Sequence, residues 1–425
     1  MITNVTLALF VLLGLALPVG AVLFLLGLGI DHWYSAFPLI RGLGQVVWSA
    51  SNSSLLIAIP FFVLLGEILV RGGIAERTYK ALDAWLSWLP GGLIHANIGT
   101  ATMFSATSGS SVATAATVAT VAMPQAERLG YDQRLFAGAI AAGGTLGIMI
   151  PPSINLIVYG FLTETSIPRL FLAGLIPGLL LALGFMIVTA LICRIRPELG
   201  GQRRRAGWRE RLWGLFDLVP IVLLFSVVIG SIYQGWATPT ESAAIGVAMA
   251  FVITGVRGSL PGRALIEALL GTVRVTAMIM LVIVGAYFLN YTLASAGLGN
   301  ALRDLLGSIG SDPMTTLVFI ILLYIVLGFF IETLSLMVAT IPIVVPIVAD
   351  LGFDKVWFGI LLILLIEMAL ITPPVGLNLY VVQGARRTGH LGEVMIGALP
   401  YVLTMLVMVV LLVLFPGLAL WLPGG

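Results

Sequence analysis

The stretch "IPPSINLIVYG", residues 150–160, reappears in altered form as "TPPVGLNLYVVQG", residues 372–384. In both, an apolar segment contains a Pro-Pro pair, and an Asn follows a few residues later. Proline lacks a backbone N–H and its ring clashes with the preceding turn, so each pair interrupts a helix and frees carbonyl oxygens. At membrane depth such carbonyls are tolerated only inside protein or beside a wet cavity. The repeated pattern therefore predicts two broken membrane helices.

The composition shows which solvent surrounds these stretches. Hydrophobic residues make up 60% of the 425 residues and charged residues only 9%, against about 25% charged residues in soluble domains. Because about 20 apolar residues cross the hydrocarbon core as a helix, an all-α polytopic membrane protein is predicted. Uncharged runs of spanning length occupy residues 4–30, 42–66, 135–163, 170–193, 218–240, 275–302 and 394–425.

Each Pro-Pro pair is preceded by a longer apolar segment with a polar centre. The first, residues 92–125, contains "SATSGSS" (residues 105–111), and the second, residues 313–350, contains "IETLS" (residues 331–335). Each segment is long enough for two short helices that dip into the membrane and return. The halves are therefore predicted to be inverted repeats, each a re-entrant hairpin followed by a broken helix. This arrangement is typical of secondary transporters with a site near the midplane.

The basic residues predict the topology. Residues 194–211 contain seven Arg and two Glu, which indicates a cytoplasmic loop under the positive-inside rule. If both hairpins return without crossing, the other Arg and Lys clusters also fall on the cytoplasmic side, with a cytoplasmic N-terminus and a periplasmic C-terminus. The first residues lack a basic n-region and a small-residue cleavage site, so a retained first helix is expected rather than a signal peptide.

The same pattern divides the chain into five parts. Scaffold helices and an interfacial arm are predicted for residues 1–91, and the first transport repeat for residues 92–166. Scaffold helices around the arginine-rich loop follow at residues 167–312. The second transport repeat takes residues 313–390, and a C-terminal helix takes residues 391–425. In the amphipathic arm, Trp85 and Trp88 are expected to be interfacial anchors.

The polar groups beside the breaks predict binding sites. Hydroxyls and freed carbonyls together suit a dehydrated sodium ion, while half-helix N-termini favour an anionic substrate group. Glycines at 109, 147, 328 and 376 would permit close backbone approach. The predicted substrate contacts are Ser110, Ser111, Pro151, Asn155, Pro373 and Asn378.

Three longer motifs resemble one known family. They are "FSATSGSSVATAA…GGTLGIMIPPSINLIVYG", "GFFIETLSLMVATIPIVVPI…TPPVGLNLYV" and "AIPFFVLLGEILVRGGIAER". Over nearly the whole chain they are similar to the large, DctM-like membrane subunit of a TRAP (tripartite ATP-independent periplasmic) transporter. The resemblance implies an elevator-type fold in the bacterial inner membrane and import of organic acid anions, such as C4-dicarboxylates or sialic acids, with sodium. It also implies two partners, a separate small four-helix membrane subunit and a periplasmic substrate-binding protein.

The resemblance further implies two sodium sites, with Na⁺ as the coupling ion, no organic cofactor and no enzymatic activity. Carried over by motif, site 1 consists of Ser105, Ser108, Gly147, Ile150 and Pro152. Site 2 consists of Gly328, Thr333 and Gly376.

Simpler interpretations of the same residues remain open. Gly, Ser and Thr in membrane helices often serve close packing, and Asn155 or Asn378 could cap a restarted half-helix. Glu332 is expected to shape the second hairpin tip. Glu367 fits a pairing with a backbone break, a part in sodium binding or a packing hydrogen bond. Glu67 is expected to pair with Arg71, four residues further on.

Three other functions stand beside the tripartite importer. The first is a solitary sodium- or proton-coupled anion carrier that needs no binding protein, and the second is a passive channel. The third, an intramembrane hydrolase with Ser110 as nucleophile, requires a positioned base, and the sequence pairs none of its three His with that serine. The chain also lacks a Walker-type phosphate-binding sequence.

Overall fold

The computed structural model describes residues 2–15, 17–35, 37–202, 206–256, 260–297, 312–386 and 388–424, except the side chains of residues 2, 3, 6, 10, 13, 14 and 105–108. The described residues form helices and no strand, which confirms the predicted all-α class. Within these residues, six helices are long and apolar enough to cross a membrane, or up to eight if each of two bent helix pairs counts as one span.

The helices outside the two predicted repeats fall into two groups. The first group contains α1 (Ile2–Gly14), α2 (Val19–Tyr34), α3 (Leu43–Ser51), α4 (Ala58–Arg71) and α5 (Ile74–Leu86), with a short 3-10 helix at Leu39–Gly42. The second group contains α10 (Ile167–Ile195), α11 (Trp208–Tyr233), α12 (Pro239–Val256) and α13 (Gly262–Ser295), with a 3-10 helix at Pro197–Gly200.

The two repeats have matching element orders, as predicted. The first contains α6 (Leu93–Ser108) and α7 (Ser111–Arg128), which form hairpin 1, and then α8 (Gln133–Met149) and α9 (Ile154–Thr163), which form broken helix 1. The second contains α14 (Pro313–Gly328) and α15 (Thr333–Asp350), which form hairpin 2, and then α16 (Lys355–Ala369) and α17 (Leu377–Arg386), which form broken helix 2. The chain continues with α18 (Leu391–Leu414) and α19 (Gly417–Leu420). The peptide bonds Pro151–Pro152 and Pro373–Pro374 are both cis.

The prediction of one first helix and one helix over residues 42–66 is wrong. The first run is split before Pro18, because proline starts a helix readily but cannot continue one. The second run is split between α3 and α4, where "SNSS" (residues 51–54) supplies side chains that compete for backbone hydrogen bonds.

The N-terminal helix, α1, runs antiparallel to the helix that follows it, whereas one continuous helix was expected. The amide of Asn4 donates to the hydroxyl of Tyr34 at 2.8 Å, so α1 folds back along α2. Helix α2 runs parallel to α13, because Gly20 lies against Leu281 and Gly27 against Phe288. If α13 begins on the cytoplasmic side, as Arg263 at its start predicts, Asn4 lies towards the other side. The predictions of a cytoplasmic N-terminus and of a cytoplasmic start of α13 are therefore incompatible.

The predicted arm is a separate helix. Helix α5 is bent by 66° from α4, and Trp88 is exposed. The indole of Trp85, by contrast, donates to the carbonyl oxygen of Arg211 at 2.9 Å. Trp85 therefore joins α5 to α11, and its role as an interfacial anchor stays a prediction.

The expected pair between Glu67 and Arg71 is confirmed at 2.9 Å and belongs to a larger network. Arg71 also contacts Glu267 of α13 at 2.7 Å, and Arg263 contacts the same carboxylate at 3.2 Å. These ions are partly exposed, so the network mainly fixes how α4 and α13 meet and contributes modestly to stability.

Broken helix 1 is held from behind by the C-terminal helix. A side-chain carbon placed on Gly138 of α8 would lie 2.1 Å from the carbonyl carbon of Gly397 in α18. A side-chain carbon placed on Gly397 would lie 1.8 Å from the carbonyl oxygen of Arg134. The two backbones are therefore in direct contact, which only glycine permits, and this contact fixes the position of α8.

Candidate functional site

The tip of hairpin 1 rests on the break in broken helix 1. Gly109 has a φ of +57°, and a side-chain carbon there would lie 3.5 Å from the carbonyl oxygen of Pro152. On α8, a side-chain carbon placed on Gly147 would lie 3.0 Å from the carbonyl carbon and from the carbonyl oxygen of Ser110. The close approach predicted for these glycines is confirmed at both positions.

Serine side chains cap the helices that begin at this junction. The hydroxyl of Ser110 accepts a hydrogen bond from the N–H of Ala113 at 3.4 Å, at the start of α7. The hydroxyl of Ser153 accepts one from the N–H of Leu156 at 3.3 Å, at the start of α9. Asn155 lies inside α9 and its amide nitrogen has no partner among the described residues. The suggestion that Asn155 caps the half-helix is therefore wrong.

Replacing Ser153 with Ala should lower the free energy of unfolding by about 1 kcal/mol, because the first turn of α9 loses its capping acceptor. The effect is measured as a fall in the melting temperature of the purified protein. The matched control is Thr120→Ala, which removes an exposed hydroxyl bonded to the carbonyl oxygen of Ala116. Equal melting temperatures for the two variants would contradict the capping role.

The second repeat encloses a small cavity at the corresponding place. Its volume is about 190 Å³, and it lies between the tip of hairpin 2 and the break in broken helix 2. Gly328 and Gly376, both predicted for sodium site 2, lie in its wall, and Gly376 has a φ of +50°. The remaining lining residues are Phe330, Ile331, Glu332, Ala369, Leu370, Val375 and Leu377.

Glu332 caps the helix at the tip of hairpin 2. Its carboxylate accepts hydrogen bonds from the N–H groups of Leu334 and Ser335 at 3.1 and 2.9 Å. The hydroxyls of Thr333 and Ser335 donate to the same carboxylate at 3.1 and 2.8 Å. The expected site-shaping position of Glu332 is confirmed. Thr333, predicted for sodium site 2, directs its hydroxyl hydrogen to this carboxylate.

Among the described residues, three polar contacts join the repeats directly. In one of them the hydroxyl of Tyr159 in α9 donates to the carbonyl oxygen of Lys355 in α16 at 2.7 Å. The hydroxyl of Ser111 donates to a carboxylate oxygen of Glu367 in α16. The amide of Asn378 in α17 donates to the carbonyl oxygen of Ala141 at 3.1 Å. Asn378 therefore ties broken helix 2 to α8, and the suggestion that it caps the restarted half-helix is wrong. The packing hydrogen bond suggested for Glu367 is present, although its partner lies in the other repeat.

Helix ends dominate the electrostatics of the site. Four helices end at the breaks, α6, α8, α14 and α16, and four begin there, α7, α9, α15 and α17. Helix C-termini carry unpaired carbonyls and a partial negative charge, whereas N-termini carry N–H groups and a partial positive charge. Both cations and anions can therefore be bound at the breaks by backbone groups.

Most of the predicted site residues lie at these breaks. Pro151, Pro152, Pro373, Gly147 and Ile150 lie in or next to the interruptions of the two broken helices. The side chains of Ser105 and Ser108 lie outside the described residues, so their part in sodium site 1 stays a prediction. Sequence reasoning missed Ser153 and the cavity-lining Phe330 and Ile331, although Ser153 stands where a capping residue follows Pro-Pro.

Nearly the whole chain matches one family of known proteins. A family model described as "Tripartite ATP-independent periplasmic transporter, DctM component" matches residues 6–418. The chain belongs to this family. It is therefore a DctM component, a multi-pass transporter subunit of the bacterial inner membrane and not an enzyme, as the motifs predicted.

Two relatives agree with this family, and one solved structure shares the fold. The DctM component is 35% identical over 392 residues to the C4-dicarboxylate TRAP transporter large permease protein DctM of Pseudomonas aeruginosa, covering 91% of this chain and 90% of that protein. It is 34% identical over 382 residues to the sialic acid TRAP transporter large permease protein SiaM of Vibrio cholerae, covering 89% and 88%. The crystal structure of the Alcanivorax borkumensis YdaH transporter shares its fold, with a TM-score of 0.61 at 18% identity, covering 96% of this chain and 99% of that one.

Proposed function

We propose that this DctM component is the large permease subunit of a sodium-coupled importer of organic acid anions. It receives substrate from a periplasmic binding protein and works with a separate small membrane subunit. C4-dicarboxylates and sialic acids are the first candidates, because relatives of similar length carry these substrates in their names. One observation carries the proposal. In each repeat, the tip of the hairpin lies next to the break in the broken helix, so that two helix N-termini and two helix C-termini come together.

The N-terminal ends favour a carboxylate as the substrate group. The first turns of α7, α9, α15 and α17 face the breaks with N–H groups that have no partner within their own helices. A carboxylate at such ends is stabilised by hydrogen bonds and by the helix dipole. At the cavity in the second repeat, the carboxylate of Glu332 already accepts from the N–H groups of Leu334 and Ser335, so the other three helix starts are the proposed anion ligands.

The C-terminal ends favour sodium. Gly147 and Ile150 lie at the end of α8, and Gly328 is the last residue of α14. Unpaired carbonyls at such ends coordinate sodium in other transporters built from broken helices. Together with Pro152, Gly376 and the hydroxyls of Ser105, Ser108 and Thr333, they make up the two proposed sodium sites. Because ion and substrate sites share the same breaks, sodium binding can raise the affinity for substrate.

We further propose that the hairpins and broken helices move together as an elevator. The contacts of Ser111 with Glu367 and of Asn378 with Ala141 hold the repeats to each other, which favours movement as one unit. The stacked rings of Phe161 in α9 and Tyr287 in α13, 5.0 Å apart, lie between a transport repeat and the proposed scaffold. Such a contact must change during the movement.

Uptake by reconstituted protein tests the function. The chain and its co-encoded small subunit are placed in liposomes, and uptake of labelled dicarboxylates and sialic acid is measured with an inward sodium gradient. We expect uptake only when sodium and the binding protein are both present. The control replaces sodium with potassium at equal ionic strength. Sodium-driven uptake without the binding protein would instead establish a solitary carrier, and uptake without any ion gradient would indicate a channel.

A further inference from the structure

A carboxyl group is buried between the two repeats, where hairpin 1 meets α16. Glu367 is 1% exposed and lies in α16, where its carboxyl accepts a hydrogen bond from Ser111, which is also 1% exposed. No Lys, Arg or His is within ion-pair distance of Glu367 among the described residues. A buried carboxylate without a cation is strongly unfavourable, so something must neutralise this group.

Two oxygen atoms at this place lack a partner. Oε1 of Glu367 and Oδ1 of Asn378 are both buried and neither accepts a hydrogen bond from any described residue. The orientation of the Asn378 amide is fixed, because its nitrogen donates to the carbonyl oxygen of Ala141. Turning the amide over would set two carbonyl oxygens against each other. Asn378 therefore presents an acceptor that needs a donor.

The backbone brings these two side chains to one place. The N–H of Asn378 donates to the carbonyl oxygen of Leu370 at 3.0 Å, and Leu370 lies one turn after Glu367 on the same face. From the opposite side, the carbonyl oxygen of Ser111 and the amide nitrogen of Asn378 both lie 2.9 Å from a side-chain carbon placed on Gly144. Ser111, Glu367 and Asn378 thus form one buried cluster.

We propose that Glu367 is a proton-binding site: it is held as a neutral acid that accepts from Ser111 through one oxygen and donates through the other to Asn378. One proton then satisfies both unpartnered oxygens and removes the buried charge. Sodium fits the cluster less well, because it needs several oxygen ligands and Glu367 and Asn378 each offer only one unpartnered side-chain oxygen.

The comparison of the two repeats supports a specific role for this acid. Counting six residues back from the first Pro of each pair gives Thr145 in repeat 1 and Glu367 in repeat 2. Thr145 satisfies its hydroxyl within its own helix, by donating to the carbonyl oxygen of Ala142 at 2.7 Å. Only the second repeat has an acid at this position. The contact between Glu367 and Ser111 therefore has no counterpart at Thr145 in repeat 1. As a neutral acid, Glu367 ties broken helix 2 to hairpin 1 without adding charge to the moving unit.

Infrared difference spectroscopy of the full-length chain in lipid tests this proposal. At pH 7 we expect the wild type to show the carbonyl stretch of a protonated carboxylic acid that Glu367→Gln lacks. Ser111→Ala, which retains the acid, should move that stretch to higher frequency because the carbonyl loses a hydrogen bond. The control is Glu76→Gln, since Glu76 is exposed and pairs with Lys80 at 2.6 Å, and it should leave the acid region unchanged.

The outcomes separate this proposal from the proposed function, on which its role in transport rests. If Glu367→Gln loses bands of an ionised carboxylate and leaves the region of protonated acids unchanged, the proposal is overturned. A protonated-acid band that does not shift in Ser111→Ala would also overturn it. If Glu367→Gln fails to fold, the response to Ser111→Ala still decides. None of these readouts needs substrate or sodium. A transport assay without sodium dependence would therefore refute the coupling mechanism and leave the neutral acid standing.

Discussion

Replacing Gly397 with Val should abolish the folded protein, or lower its melting temperature further than Ser153→Ala does. A side-chain carbon at Gly397 would lie 1.8 Å from the carbonyl oxygen and 2.4 Å from the carbonyl carbon of Arg134. Both obstacles are backbone atoms of α8, so no rotamer change relieves the clash. Overpacking a core costs about 1–3 kcal/mol when side chains can adjust, and here α8 and α18 must separate. We expect a loss at or above about 3 kcal/mol on that scale.

The control for this change lies in the same helix. Gly392 is exposed, and a side-chain carbon placed there meets no heavy atom within 4 Å. Gly392→Val should therefore purify and melt like the wild type. Melting temperatures and the monodisperse fraction after extraction are compared for both variants. If Gly397→Val matched Gly392→Val, the direct backbone contact between α8 and α18 would be refuted.

Local chemistry made much of the fold predictable. The low charge and long apolar runs required helices, because lipid offers no partner for unpaired backbone groups. The Pro-Pro pairs located both interruptions, since proline cannot continue a helix. Gly109, Gly147, Gly328 and Gly376 were predicted as points of close approach, and each lies at a tip or a break. These features depend on neighbours in sequence, which can be read directly.

The failures share another cause. Hydropathy gave one first helix, and nothing local revealed that α1 turns back to bring Asn4 against Tyr34. The hydrogen bond of Trp85 was not predicted either, because its partner, Arg211, lies in a helix far along the chain. Such contacts depend on how helices that are distant in sequence pack together, and this packing cannot be predicted from the sequence pattern of one helix.

The candidate site shows the same division. The breaks and their hydroxyls were predictable, whereas the cap at Ser153 required knowing where α9 restarts. The link between Ser111 and Glu367 joins residues 256 positions apart. An acid in an apolar run did signal an important position, but its role followed only once its partner was known.

Replacing Gly147 with Val should strongly reduce sodium-driven uptake at limiting sodium concentration while the protein remains folded. A side-chain carbon at Gly147 would lie 3.0 Å from the carbonyl group of Ser110 and from Cα of Ser111, so the larger side chain pushes the hairpin 1 tip away from broken helix 1. That tip and the end of α8 together make up proposed sodium site 1. An overpacking cost of about 1–3 kcal/mol on the ion-loaded state would weaken apparent sodium affinity about 5- to 150-fold.

Sodium dependence of uptake and melting temperature are measured together for this variant. The control is Gly384→Val in α17, where a side-chain carbon meets no heavy atom within 4 Å, and it should transport like the wild type. The clash at Gly147, at 3.0 Å, is milder than the clash at Gly397, at 1.8 Å, so moving the tip costs less than separating α8 from α18. Gly147→Val should therefore melt well above Gly397→Val. Normal sodium affinity in Gly147→Val would show that sodium does not bind between this tip and broken helix 1, whatever its stability.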